Sequence, residues 1–209
     1  MYIPNGTGER RPDVLCAAIQ EISFAALVTP HADGMEINHL PWLVRREGAN
    51  VILEAHVARA NAHWRLGGFQ SVAIFQGPHA YVSPSFYPSK AEDGRVVPTW
   101  TYITVHAHGM LETIEDPRWI STHLESLTQQ HESARPDPWK VSDAPVAYLS
   151  ALKRGVVGLR LSVEKLEGKW KVNQNKSDAD MRGTIDGLSR ESEAGGHIAG
   201  ALAGYLDQD

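Results

Sequence analysis

Apolar residues at Val14, Leu15, Ala18, Ile19 and Ile22 share one face of a 3.6-residue repeat directly after Pro12 and Asp13, a spacing that predicts a first helix. The blocks that follow are short, rich in β-branched or aromatic residues, and separated by Gly, Pro and Asn. They predict strands over Phe24–Thr29, Glu36–Val44, Val51–Ala55, Ser71–Gln76 and Ala80–Ser83. A longer strand is expected over Thr101–Ile114. Its alternation puts Tyr102, Thr104, His106, His108 and Met110 on one face and Ile103, Val105, Ala107 and Leu111 on the other. Pro117–His131 reads as an amphipathic helix capped by Asp116, with Trp119, Ile120, Leu124 and Leu127 on its apolar side. A shorter helix over Ala144–Leu152 leads to a half-buried strand, Val156–Leu166, in a position to close a barrel. The tail, Asp178–Asp209, is expected to be helical, although the Gly content of its Gly- and Ala-rich second half lowers its helix propensity. Many short strands with few intervening helices favour a mainly β, α+β barrel over a layered α/β fold.

A chain of 209 residues, 42% hydrophobic, is long enough for one full core or one domain plus a helical appendage. The net charge of -5 gives no overall footprint for nucleic acid. Cys16 is the only cysteine, which excludes an internal disulfide. With no signal peptide and no apolar run of membrane-spanning length, the expectation is a soluble protein of the cytoplasm.

Between strand-like Val51–Ala55 and a short helix at Ala62–Leu66 lies His56–Trp64, HVARANAHW. With Asn61 as cap, its backbone amides, the positive end of the helix and the Arg59 guanidinium would suit a phosphate. A solvated cap is the plainer alternative for the same residues.

Three further strings stand in the same order along the chain: AIFQGPHAYVSPSFYPSK at Ala73–Lys90, VPTWTY at Val97–Tyr102, and KVNQNKS at Lys171–Ser177. Together with the ARAN turn and the opening MYIP they resemble the PaiB-type FMN-binding regulators over Met1 to about Leu188. Ala62 stands where that family usually has proline, Ala55 where it has glycine, and Thr101 where it has asparagine. Asn173 and Lys176 replace the commoner serine and arginine, so Lys176 lacks an arginine's planar fork.

The resemblance implies an antiparallel FMN-binding split β-barrel over residues 1–166. Residues 167–209 would form a C-terminal segment whose helices pack on the barrel or on a dimer interface. It further implies a homodimer with FMN at the subunit interface. Carried over by position, Arg59 and Asn61 contact the phosphate with His56 and Lys90 nearby, Thr99, Trp100 and Tyr102 lie near the isoalloxazine, and Gln174, Asn175 and Lys176 reach the partner's flavin. Trp100 equally suits a core or interface position, and Gln174 and Asn175 equally suit a turn before a helix.

His106 and His108 share a strand face, but sequence supplies no third ligand, and no metal is assigned. No nucleophile constellation is present, so any catalysis belongs to the flavin. Two functions follow from the resemblance. One is a transcriptional regulator acting through DNA or, more in keeping with the acidic charge, through a protein partner. The other is an FMN-dependent oxidoreductase passing electrons from reduced nicotinamide to a small acceptor.

Overall fold

The computed structural model describes residues 1–206. In chain order the elements are β1 (Gly8–Glu9), α1 (Pro12–Ile22), β2 (Phe24–His31), β3 (Gly34–Pro41), β4 (Leu43–Glu47), β5 (Asn50–Ala58), β6 (Gln70–Val82), β7 (Thr99–Ile114), α2 (Pro117–Glu132), α3 (Val146–Arg154), β8 (Val156–Lys171), α4 (Asp178–Glu191) and α5 (Glu193–Leu206). Short 3₁₀ turns occupy Ala62–Leu66, Pro84–Phe86, Pro88–Ala91 and Val141–Asp143.

The eight strands form one antiparallel sheet in the order β3-β2-β6-β7-β8-β5-β4, with β1 paired to β8, and the hydrogen-bonded path does not close. Its two terminal strands, β3 and β4, are consecutive in the chain and separated by Trp42 alone. The expected single strand Glu36–Val44 is therefore broken at Trp42, whose indole is fully buried and whose backbone N–H donates to Ser23 O at 2.7 Å, outside the ladder. Conversely, Ser71–Gln76 and Ala80–Ser83 are parts of one strand. Gly77 and Pro78 stay within β6 because the φ that proline imposes is compatible with extended backbone. The expected end of β8 at Leu166 moves to Lys171, where β1 supplies a partner through Glu9↔Gly168 and Gly8↔Lys169. The β4–β5 hairpin turns on Gly48 at φ +62, the left-handed region that a two-residue turn demands.

The chain divides into two compact units, with α1, β6, β7 and β8 each contributing residues to both. One comprises Cys16–Phe75 and His106–Leu166. Its fully buried side chains include Leu27, Trp42, Leu53, Phe75, Leu159 and Leu161. Here α2 begins at its predicted cap, Asp116, whose carboxylate accepts from Arg118 N and Trp119 N.

The other unit comprises Met1–Leu15, Gln76–Val105 and the chain from Glu167 onward. Its apolar cluster joins Val82, Tyr87, Ile103 and Val172 to Leu188, Ile198 and Leu202 of α4 and α5. Gly187 lets α4 approach closely, since a Cβ there would lie 2.4 Å from the Phe86 ring. The buried Asp180 carboxylate accepts from Ser89 N at 3.1 Å and Ser89 Oγ at 2.8 Å, tying α4 to the Pro88–Ala91 turn. The predicted helical tail is thus two helices up to Leu206, and its expected last residues lie outside those described.

Candidate functional site

The ARAN turn lies in the unit containing β5. Asn61 caps the 3₁₀ turn as the sequence predicts, its Oδ1 accepting from His63 N at 2.9 Å. The amides of the turn are engaged internally: Arg59 N donates to Gly155 O at 2.7 Å and Asn61 N to Ala58 O at 2.8 Å. The Arg59 guanidinium donates to Glu115 Oε2 at 2.6 Å and to Arg154 O at 3.1 Å. That ion pair is about half exposed on both sides, a setting in which a competing anion displaces a carboxylate at small cost. His56 points to α2 instead, its Nδ1 lying 3.1 Å from His123 Nε2.

A cleft of about 540 Å³ lies in the other unit. One wall is the opening segment with Tyr2, Asn5 and Thr7, a second is Val97–Thr99 with Tyr102 of β7, and a third is the end of β8 with the turn after it. The period of two in β8 sends Lys169 and Lys171 to the same side. Lys169 is only 8% exposed. Its Nζ donates to Tyr2 O at 3.1 Å and lies 5.7 Å from the Tyr2 ring centroid and 5.2 Å from that of Tyr102. Lys171 Nζ donates to Thr99 Oγ1 at 2.7 Å and lies 6.0 Å from the Tyr102 centroid. Lys176 Nζ sits 4.7 Å from the Tyr87 centroid. No carboxylate lines the cleft among the described residues. Burial holds the Tyr87 phenol above its ordinary value, with Asp180 adding to the effect and a hydrogen bond from Asn173 opposing it, so the ring stays neutral.

Five of the ten residues singled out from sequence line this cleft: Thr99, Tyr102, Gln174, Asn175 and Lys176. Gln174 is used up structurally. Its amide donates to Gly6 O at 2.9 Å and Trp170 O at 2.7 Å and accepts from Val172 N at 2.9 Å, bracing a turn in which Asn173 has φ +60. Arg59, Asn61 and His56 belong to the other unit. Lys90 is exposed on the Pro88–Ala91 turn and does not line the cleft. Trp100 is 53% exposed, beside His79 and Tyr81 with ring centroids 6.2 and 6.1 Å away. Lys169, Lys171, Tyr2 and Tyr87 were not anticipated. For the lysines a signal existed in Lys169-Trp170-Lys171, had the strand been extended beyond Leu166.

An open antiparallel sheet in this strand order defines the split-barrel fold. The structure of the FAD and heme binding protein from Mycobacterium smegmatis has this fold, with a TM-score of 0.58 at 12% identity, covering 84% of this chain and 79% of that one. The chain belongs to the family described as "Putative FMN-binding domain", whose profile matches residues 1–165. It is 35% identical to an uncharacterized protein of Emericella nidulans across 95% of each chain. It is also 28% identical to the protease synthase and sporulation protein PAI 2 of Bacillus subtilis, across 91% of this chain and 90% of that one. The PaiB-type resemblance read from the sequence therefore holds, and FMN is the cofactor consistent with it.

Proposed function

We propose that this protein is a homodimeric, FMN-dependent regulator that holds its flavin in the lysine-rich cleft. The observation that carries this reading is the convergence of Thr99, Tyr102, Asn175 and Lys176 with Lys169 and Lys171 on one carboxylate-free cleft. FMN combines an anionic phosphate, a polar ribityl chain and a flat ring. The cleft offers three ammonium groups, the polar side chains of Asn5, Thr7 and Asn175, and tyrosine faces. Its volume of about 540 Å³ falls within the roughly 300–1,000 Å³ usual for cofactor sites. Bound FMN supplies one- and two-electron redox chemistry, while this chain's residues bind and orient it.

A second copy of the chain is supported by the outer face of β2, β3 and β6. Register pairs Val28 with both Ile37 and Val72, Pro30 with Met35, and Ala26 with Ile74, all on the face opposite the buried Ala25, Leu27 and Ala73. Met35, Ile37 and Phe24 are more than half exposed there, and strands apolar on both faces call for cover on both. The net charge of -5 favours a protein partner over direct DNA binding, in a cytoplasmic setting that agrees with the single free Cys16. Cations facing the flavin also suit an oxidoreductase, and oxidation of reduced nicotinamide by the FMN-loaded protein separates the two readings.

Titration with FMN, followed by quenching of flavin fluorescence, tests the site. Binding is expected in the native chain and at least tenfold weaker in Lys171→Ala. If Arg59→Ala abolishes binding while Lys171→Ala leaves it intact, the flavin belongs at the ARAN turn and the cleft reading falls.

A further inference from the structure

We infer that the cleft prefers the reduced, anionic form of the flavin to the oxidised form, a preference that rests on the cleft being the flavin site. Each of the three ammonium groups in the cleft lies against a tyrosine ring. Lys169 and Lys171 lie 5.2 and 6.0 Å from the centroid of the same Tyr102 ring, and Lys176 lies 4.7 Å from that of Tyr87. One lysine suffices as a point charge for the phosphate, which leaves the others for the rest of the ligand. Cations distributed over ring faces match a flat ligand whose charge is itself delocalised.

Reduction creates that ligand. Given two electrons by dithionite or a reduced nicotinamide and one proton at N5, a bound isoalloxazine would carry a delocalised negative charge, which Lys169 and Lys171 would hold. Lys169 has particular need of such a charge, because it is 8% exposed and a backbone carbonyl, Tyr2 O, is the one hydrogen-bond acceptor it has among the described residues. Its ammonium keeps donors to spare. A buried charge without a counter-ion is costly, so an anion that arrives beside it is bound more tightly than its neutral counterpart. Lys171 adds a second charge while its bond to Thr99 Oγ1, 2.7 Å long, fixes where the ammonium points.

The test compares oxidised FMN with dithionite-reduced FMN, titrated anaerobically, and measures the midpoint potential of bound against free FMN with a reference dye. Reduced FMN is expected to bind at least tenfold more tightly, which raises the potential of the two-electron couple by about 30 mV. The preference should shrink in Lys171→Gln and Lys176→Gln, whose folding is checked by circular dichroism, and return in Lys171→Arg. Riboflavin, which lacks the phosphate, should show the same preference. Equal affinity for the two redox states overturns the inference while leaving the FMN site standing. So does a Lys171→Gln variant that weakens both states of FMN equally and leaves riboflavin unaffected, since the lysines then hold the phosphate. Failure of oxidised and reduced FMN alike to bind would instead sink the assignment of the cleft itself.

Discussion

Asn61 Nδ2 donates to Asn38 Oδ1 at 2.7 Å, and through that bond the ARAN turn is built into the β2–β3 hairpin. The chain of contacts continues inward. Asn38 Nδ2 lies 2.9 Å from His63 Nδ1, His63 Nε2 lies 2.8 Å from Thr29 Oγ1, and Thr29 Oγ1 lies 2.7 Å from Ser71 Oγ. An amide can only donate through Nδ2, so His63 Nδ1 accepts and the proton of the neutral ring sits on Nε2, donated to Thr29.

Asn61→Ala should therefore remove more than a helix cap. The lost bond to His63 N costs about 1 kcal/mol, and leaving Asn38 Oδ1 unpaired adds about another 1 kcal/mol. Asn61→Asp keeps the acceptor for His63 N and loses the donor to Asn38, so urea denaturation should rank it between the native chain and Asn61→Ala. Equal midpoints for Ala and Asp would show that the Asn38 bond contributes nothing.

Acid should destabilise the protein in two windows. Burial lowers His56 and, with the neighbouring His56 charge, pushes His123 from 6.5 to about 4. The folded pKa is depressed, so the unfolded chain takes up the proton first. Stability is full above 6.5, falls as the pH drops, and levels near 4. At 1.36 kcal/mol per unit the His123 loss is of order 3 kcal/mol. His63, also depressed mainly by burial, loses stability in the same direction. From 4.5 downward Glu54 adds a second loss. Burial works to raise its carboxyl, but the hydrogen bonds and charge of Arg45 and then Arg160 outweigh it and hold it below 4.5, so its stabilisation is lost as the pH falls through that lowered value. In His123→Phe, the slope of stability between pH 6.5 and 4 should flatten. An unchanged slope would remove His123 as its source.

Glu54 is 3% exposed and serves three donors: Arg45 Nε at 2.5 Å, Arg160 Nη2 at 3.3 Å and Trp119 Nε1 at 3.3 Å. Glu54→Ala strips two partly buried guanidiniums of their counter-ion and should cost about 3–5 kcal/mol. Arg45→Met leaves Arg160 on the carboxylate and should cost less. If thermal unfolding shows the two variants to be equally destabilised, Arg160 does not sustain Glu54 alone.

Legibility followed periodicity. Asp116 announced α2, and Asn61 announced the turn after β5, because caps act through neighbours one to three residues away. The break at Trp42 depends on a hydrogen bond to Ser23, and the extension of β8 depends on β1, so neither leaves a local mark. Within the cleft, Thr99, Tyr102, Asn175 and Lys176 came from ordered motifs. Tyr2 and Lys169 are joined across most of the chain, through Lys169 Nζ and Tyr2 O, a relationship that no spacing in sequence encodes. Gln174 was legible as a position and misleading as a role, since its amide is spent on the backbone of its own turn.

Gly158 pairs with His56 across β5 and β8 and lies under the Trp119 ring. A Cβ at Gly158 would come within 2.2 Å of Trp119 Cζ3, so Gly158→Ala must displace the indole. That ring is stacked on His123, with centroids 4.9 Å apart and planes 3° from parallel, while its Nε1 holds Glu54. Displacement therefore costs overpacking strain of about 1–3 kcal/mol together with part of the stacking and the hydrogen bond. Trp119→Leu removes the obstacle, so the second substitution should make Gly158→Ala nearly neutral, and a double-mutant cycle should return a coupling above about 1 kcal/mol. Additive effects would mean that alanine at 158 is resisted by the strand backbone and not by the indole.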